Sequence, residues 1–513
     1  PDGYLFTNRT IDSLHLHPWV GKKRWEKDPE LSHELYNLGH LYEAAYAHFL
    51  ATGKRTLLDV AIKSANLVDH DFGPGKLSYY PGHQVIEMGL AKLYRITGEE
   101  RYLKLAKFFL DCRRNGDEYN QAHIPVIEQD KIVGHAVRAT YMYAGMADVS
   151  ALTGEVSYQN AIDKIWNDLL KTKLYVTGGI GSAGKNEGFS DPYSLPNLTA
   201  YCETCASISN VFWNYRMFLL EGDAKYFDVL ERTLYNALLS GISLSADRFF
   251  YPNPLESHGK NQRSAWFGCA CCPSNICRFI PSVPGYVYAQ KDDSLYVNLF
   301  MNNTATVNLH GDQISIEQVT EYPWSGKITM KINPEKSGKF NLLVRIPGWA
   351  QNQALPSDLY RFKIQDMDRA TISVNGTNAA FQLTKGYAVI SRQWKKGDQL
   401  ILNLPMPVRE LIAHPEIKED SGRVAIQRGP LVYCFEWPDN KEVKIPNLQL
   451  NSKNSYQTAF IPNLLNGVTV IKTTGIDSVI KTENTKQSIT AIPYYSWANR
   501  GAGEMNVWMK VHK

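Results

Sequence analysis

No apolar run in the 513 residues approaches the roughly 18 that a membrane-spanning helix requires, so no membrane partner is expected. Net charge is small too, with 55 Lys and Arg against 51 Asp and Glu. The formal net charge is +4 and no basic run stands out, which argues against a nucleic-acid partner. A signal peptide is not visible, yet the first residue is Pro1 rather than Met. That favours a periplasmic or secreted protein over a cytoplasmic one and leaves the compartment open. Cysteine is sparse, at eight residues, and six of these fall in two clusters rather than being spread as a disulfide framework.

What is present is more informative. The length predicts two to four domains, and a hydrophobic content of 44% can fill a sizeable core. Twenty-nine Tyr and eleven Trp suit a protein that stacks flat, hydroxylated ligands such as sugars, though ordinary core and rim aromatics explain them equally well. The chain is organised around Trp266 to Arg278, W-F-G-C-A-C-C-P-S-N-I-C-R, which holds Cys269, Cys271, Cys272 and Cys277. Adjacent cysteines rarely pair with each other, because a planar trans peptide strains the ring they would close. A metal site fits better and calls for about four ligands. The second cluster, Tyr201-Cys202-Glu203-Thr204-Cys205, is the obvious donor of the others. The plain alternative is a set of buried, inert thiols.

The first half contains a repeat. Gly39-His40, Gly82-His83 and Gly134-His135 each open an apolar-periodic stretch that runs to Thr52-Gly53, Thr97-Gly98 and Thr153-Gly154. Each unit reads as a helical hairpin whose first helix is C-capped by glycine. In a fourth unit ending at Gly222, the same interval that separates His135 from Gly154 lands on Glu203. Hairpins stacked in a ring predict an α/α toroid, with His40, His83, His135 and Glu203 at inner-helix N-termini around one mouth. A histidine that merely caps its helix is the simpler reading of any one of them.

From about Ser282 alternating strand patterns take over, as in Ser294–Leu299, Gly326–Ile332, Phe340–Ile346 and Gln399–Leu404, with hairpin-type turns at Asn375-Gly376 and Lys396-Gly397-Asp398. The predicted fold class is α plus β multidomain. An (α/α)6 toroid or barrel over 1–283 carries the chemistry, followed by a β-sandwich over 284–408 and a second β-sandwich-like domain over 409–513. The last strand, Glu504 to Val511, could join either. Gly178-Gly179-Ile180-Gly181-Ser182 lacks the Walker lysine pattern and the strand-to-helix context of a nucleotide site. A mobile loop that delivers Glu187 to the pocket fits better.

The stretches Gly178 to Glu187, Glu203-Thr204-Cys205, Phe249 to Ser257 and Trp266 to Asn275 together resemble the β-L-arabinofuranosidases of glycoside hydrolase family 127 and its relatives. The resemblance covers the helical half nearly end to end and is looser over the β domains. It implies an α/α barrel with β-sandwich domains and a Zn2+ held by Glu203, Cys205, Cys271 and Cys272. It also implies Cys271 as nucleophile, Glu187 as acid/base, and His40, His83, His135 and Tyr251 along the sugar pocket. Cys269 and Cys277 would be structural, while Cys112, Cys202 and Cys434 carry no family role. The short Glu256–Trp266 segment and the Trp19–Trp25 stretch depart from the family pattern and leave the substrate open.

The expected function is a retaining exo-glycosidase that releases L-arabinofuranose or a related pentofuranose from a plant glycan, with a homodimer left open. Ordinary glycosidases use two carboxylates, and a metal-bound thiolate could replace one of them because coordination deprotonates the thiol. One alternative is release of a branched acidic sugar, aceric acid, from pectin side chains, which an extra pocket arginine or lysine would favour. A carbohydrate-binding protein with a structural zinc is another, and a sugar epimerase or lyase on the same toroid is a third.

Overall fold

The structure, a computed structural model, describes residues 2–309, 311–366, 368–478 and 487–512. It contains two compact units, Pro1–Leu169 with Ala183–Ser190, and Leu170–Ser182 with Asp191–Lys513. Among the described residues, no helix is long and apolar enough to cross a membrane.

The first unit is helical. Glu34–Thr52 is followed by Thr56–Asp71, Ile86–Thr97 by Glu100–Asp111, and Ala136–Thr153 by the helix that begins at Val156. Gly53, Gly98 and Gly154 end the first helix of each pair in the left-handed conformation, at φ 68°, 73° and 78°, where a side chain would be strained. The expected hairpins are therefore present, with differences at the starts of the first two. Gly39-His40 does not open a helix: Glu34–Thr52 begins a turn and a half earlier, after His33. Gly39 has another task. A Cβ there would lie 2.6 Å from the Ile86 nitrogen, and one on Gly89 2.8 Å from the Gly39 carbonyl, so these glycines let two helices cross closely.

The second unit joins helices to sheets. Thr204–Glu221 ends at Gly222, also left-handed at φ 64°, and is followed by Ala224–Arg232 and later by Cys271–Phe279. A six-stranded and a five-stranded sheet occupy residues 288–403, with strands such as Lys327–Pro334 alternating buried and more exposed positions. Asn375-Gly376 turns a hairpin there. Lys396-Gly397-Asp398 does not, since the strands it joins, Tyr387–Trp394 and Asp398–Asn403, belong to different sheets. An eleven-stranded sheet takes most of its strands from 408–512 and adds Glu256–His258 and Tyr360–Phe362 from earlier in the chain. The expected last strand is two strands, Glu504–Asn506 and Met509–His512, and both join that sheet.

Candidate active site

In the first unit, three ring-bearing stretches meet. Tyr36 lies 4.4 Å from His40 and 4.2 Å from His83 between ring centroids, and His83 lies 5.7 Å from His135. His40, His83 and His135 are thus brought together, as expected. His83 is not on a helix but in the turn before Ile86, pinned because Arg113 donates to the Pro81 and Asn120 carbonyls and Gln84 donates to Gln121.

His135 caps the helix Ala136–Thr153: its Nδ1 accepts from the Val137 and Arg138 amides at 3.2 and 3.4 Å. That leaves the proton on Nε2, which donates to Glu187 at 3.1 Å. The cap therefore selects the tautomer that holds Glu187. The loop carrying Glu187 is also firmly tied, contrary to the mobile loop expected. Ala183 and Gly188 exchange backbone hydrogen bonds, the Ala136 amide donates to the Glu187 carbonyl, and the Phe189 amide donates to the Gly134 carbonyl. A Cβ on Gly188 would collide with the Gly134 carbonyl, so only glycine fits the close approach.

His33 completes the cluster and was not foreseen. It precedes Glu34–Thr52 in the left-handed region at φ 58°, uncommon for a residue other than glycine, and its ring lies 5.7 Å from that of His83. Its one sequence signal is that it stands seven residues before His40, two helical turns, which puts both near one helix face.

Burial, the Arg138 charge and the neighbouring histidines hold His83 well below the usual imidazole range. Burial likewise lowers His33, and lowers His135 against the opposing pull of its bond to Glu187. Neutral rings that donate and accept suit sugar hydroxyls. The sign for stability follows from linkage: unfolded imidazoles take protons near pH 6.5 that these folded ones refuse, so the unfolded state gains as pH falls. Thermal unfolding is expected at lower temperature at pH 5.5 than at pH 7.5, each such histidine adding a slope of at most about 1.4 kcal/mol per pH unit. His83→Gln should flatten that dependence, and an unchanged slope would contradict it.

The second unit holds the thiols. Glu203 is the N-cap of Thr204–Glu221, and Cys205 sits in its first turn. Glu203 and His135 thus stand at equivalent places, each before an 18-residue helix closed by a left-handed glycine. Cys271 and Cys272 open the helix Cys271–Phe279. Both helices direct their positive ends at these groups, which favours anionic ligands. The Cys205 and Cys272 sulfurs are 3.5 Å apart and those of Cys271 and Cys272 3.9 Å apart. Glu203 Oε1 is 3.6 Å from Cys271 and 3.7 Å from Cys272. Ligand atoms from all four residues lie within 4.8 Å of one another, so this group could hold a metal ion. Burial pushes the Cys205 thiol up, but bonds from the Cys271 and Cys272 thiols outweigh it and bring it down to about 7.

The Tyr251 hydroxyl lies 3.0 Å from Cys271 Sγ. Burial, and then the negative charge of Glu203 and Cys271, keeps that hydroxyl protonated. The Tyr251 carbonyl accepts the Thr204 amide, and Asn253 donates to the Cys202 carbonyl and to the Thr204 hydroxyl, which seats the Glu203 cap. Cys269 and Cys277 are exposed and in no disulfide, and Cys269 lies within hydrogen-bonding reach of Cys271 and Tyr251. The glycine loop is packed rather than open: a Cβ on Gly178 would meet Thr233, and one on Gly179 would meet the buried Cys202.

Comparison with known proteins identifies this arrangement. Residues 1–285 match the sequence model of the β-L-arabinofuranosidase GH127 catalytic domain, 294–406 that of the GH127 middle domain, and 408–510 that of the family 127 C-terminal domain. A non-reducing end β-L-arabinofuranosidase of Bifidobacterium longum subsp. longum is 34% identical over 99% of this chain and 82% of its own length. A GH127 β-arabinofuranosidase of known structure is 51% identical, with a TM-score of 0.95 over 100% of this chain and 82% of that one. A GH127 β-L-arabinofuranosidase from Geobacillus stearothermophilus T6 is 41% identical, with a TM-score of 0.91 over 100% of this chain and 84% of that one. Helical hairpins that present a histidine row and a carboxylate–thiol cluster, followed by β-rich domains, are thus the α/α barrel and β domains of glycoside hydrolase family 127, the β-L-arabinofuranosidase family, to which this chain belongs.

Proposed function

We propose that the chain is a retaining exo-acting β-L-arabinofuranosidase that releases terminal arabinofuranose from plant glycans, with Cys271 as nucleophile and Glu187 as acid/base. The observation that carries this reading is the Glu203, Cys205, Cys271 and Cys272 set within a family 127 chain. Tetrahedral zinc with bonds of about 2.3 Å to sulfur and about 2.0 Å to oxygen requires edges of about 3.8 Å between sulfurs and about 3.5 Å from sulfur to oxygen. Four of the six edges, at 3.5–3.9 Å between sulfurs and 3.6–3.7 Å from sulfur to oxygen, are close to those values, which supports zinc. The relatives of known activity, both β-L-arabinofuranosidases by name, support the sugar. The family-model ranges support a division at 1–283, 284–408 and 409–513.

In the reaction, the Cys271 sulfur attacks the anomeric carbon as Glu187 gives its proton to the departing glycosidic oxygen. A sugar thioether on Cys271 results. Glu187, now a carboxylate, takes a proton from water, whose oxygen attacks the same carbon and expels the Cys271 thiolate, so configuration is inverted twice and retained. When bound, zinc supplies the charge that keeps the Cys271 sulfur deprotonated and makes it a better leaving group. His135 positions Glu187 through the 3.1 Å bond, and the Tyr251 hydroxyl, 3.0 Å away, orients the Cys271 sulfur. His40, His83 and His135 offer ring donors and acceptors to the sugar hydroxyls, and burial keeps the His83 and His135 rings neutral.

An acidic substrate such as aceric acid is less well served. Arg138, the cation beside the histidines, is buried, and its guanidinium already donates to the Gly82 carbonyl and to Asn120 and stacks on Tyr119. Purified protein is expected to carry about one zinc per chain by elemental analysis. It should also turn over a nitrophenyl β-L-arabinofuranoside while leaving an aceric-acid-bearing pectic oligosaccharide intact. Fully active protein free of metal, or the opposite substrate preference, would contradict the reading.

A further inference from the structure

The C-terminal part of the second unit carries a cleft of about 810 Å3, within the range of small-molecule sites. One wall is Trp437, still 36% exposed. Its seat is built. A Cβ on Gly503 would fall inside the indole, so the chain forgoes a side chain at 503 to admit the ring. The turn that bears Trp437 is clamped to the same segment, because Arg500 donates to Asp439 at 2.7 Å and to Glu436 at 2.6 Å, and Glu436 also accepts the Ala498 amide at 2.7 Å. The ring is therefore held in place before any ligand arrives, which reduces the entropy lost on binding.

We propose that this cleft is a second, non-catalytic saccharide-binding site, taking a neutral stretch of glycan with one sugar ring stacked on Trp437. An aromatic face beside polar groups matches a sugar, whose rings present C–H faces and hydroxyl edges. The charges around Trp437 decide the class of sugar. Lys441 and Lys444 are outweighed by Glu442, Asp477 and Glu504, and the His258 ring is engaged with Glu256 at 2.9 Å. Among the described residues, nothing here makes a cationic field for uronic acids, so a neutral chain is favoured over pectic acid. Cys271 and Glu187 contribute nothing to this site, so binding at it and turnover are separable.

Affinity electrophoresis of the full chain through native gels containing soluble arabinan, arabinoxylan or polygalacturonate tests this. The wild type should be retarded by a neutral polymer, and Trp437→Ala should weaken the apparent Kd by about tenfold or more. Turnover of the nitrophenyl arabinoside should stay within about twofold of wild type, and Trp437→Phe should restore part of the binding. Lys441→Trp, at an exposed rim position, fills the cleft without touching the Trp437 seat and should weaken binding as Trp437→Ala does. The proposal is overturned by no retardation of wild type in either neutral gel, by retardation in polygalacturonate alone, or by equal retardation of wild type and Lys441→Trp. A wild-type dimer that Lys441→Trp converts to monomer would give the cleft to a second copy of the chain and overturn it too.

Discussion

Cys271→Ser is expected to abolish turnover, a fall of roughly four orders of magnitude or more in kcat. A serine hydroxyl stays protonated at neutral pH, binds a soft metal site poorly and is a weak nucleophile. The neighbouring thiols provide the control. Cys269 is exposed and outside the four-residue set, and a serine there keeps a hydrogen-bonding group beside Cys271, so Cys269→Ser should stay within about threefold of wild type. Comparing zinc content in the two variants separates loss of the metal from loss of the nucleophile. A Cys271→Ser protein that keeps both its zinc and substantial activity would exclude Cys271 as the attacking group.

Glu187→Gln should lose roughly 10²-fold or more in kcat on substrates with poor leaving groups. An amide cannot give a proton to the glycosidic oxygen, but it still fits the loop that Ala183, Gly188 and Ala136 hold in place. An activated nitrophenyl leaving group needs less protonation, so formation of the thioether should suffer less with that substrate. His135→Ala should mimic the loss in part, since it removes the Nε2 bond that orients Glu187. Equal losses on both kinds of substrate would make Glu187 a binding residue instead.

Much of this was legible in the chain. The repeat interval placed Glu203 where His135 stands, and both prove to be N-caps of helices closed by left-handed glycines. That worked because a helix of fixed length between a cap and a glycine leaves a spacing that survives without any alignment. The cysteine pair was readable as far as a group that could hold a metal, since Cys271 and Cys272 do come together with Glu203 and Cys205. His40 shows the limit. Its glycine looked like a helix start, whereas Gly39 answers a close crossing with Ile86 and Gly89, a contact distant in sequence.

His33 was missed for a related reason, since a left-handed backbone before a helix has no one-dimensional signature unless glycine or asparagine marks it. The rigidity of the Glu187 loop was hidden as well. Three glycines in four positions suggest freedom, but Gly178 and Gly179 are there because Thr233 and Cys202 fill the space a side chain would need. Strand patterns located Lys327–Pro334 and Asp398–Asn403 well, yet not their sheets, because alternation reports one buried face and not which neighbour pairs along the edge.

The sugar thioether is the central claim, and trapping it is the most direct test. Incubation with an arabinofuranose-configured epoxide or haloacetamide, followed by tryptic digestion, should add one sugar mass to the peptide that holds Cys271 and Cys272, with fragmentation placing it on Cys271. In methanol the released methyl glycoside should keep the substrate's anomeric configuration. Label on Glu187 alone, or an inverted product, would contradict the account and return the chemistry to a pair of carboxylates.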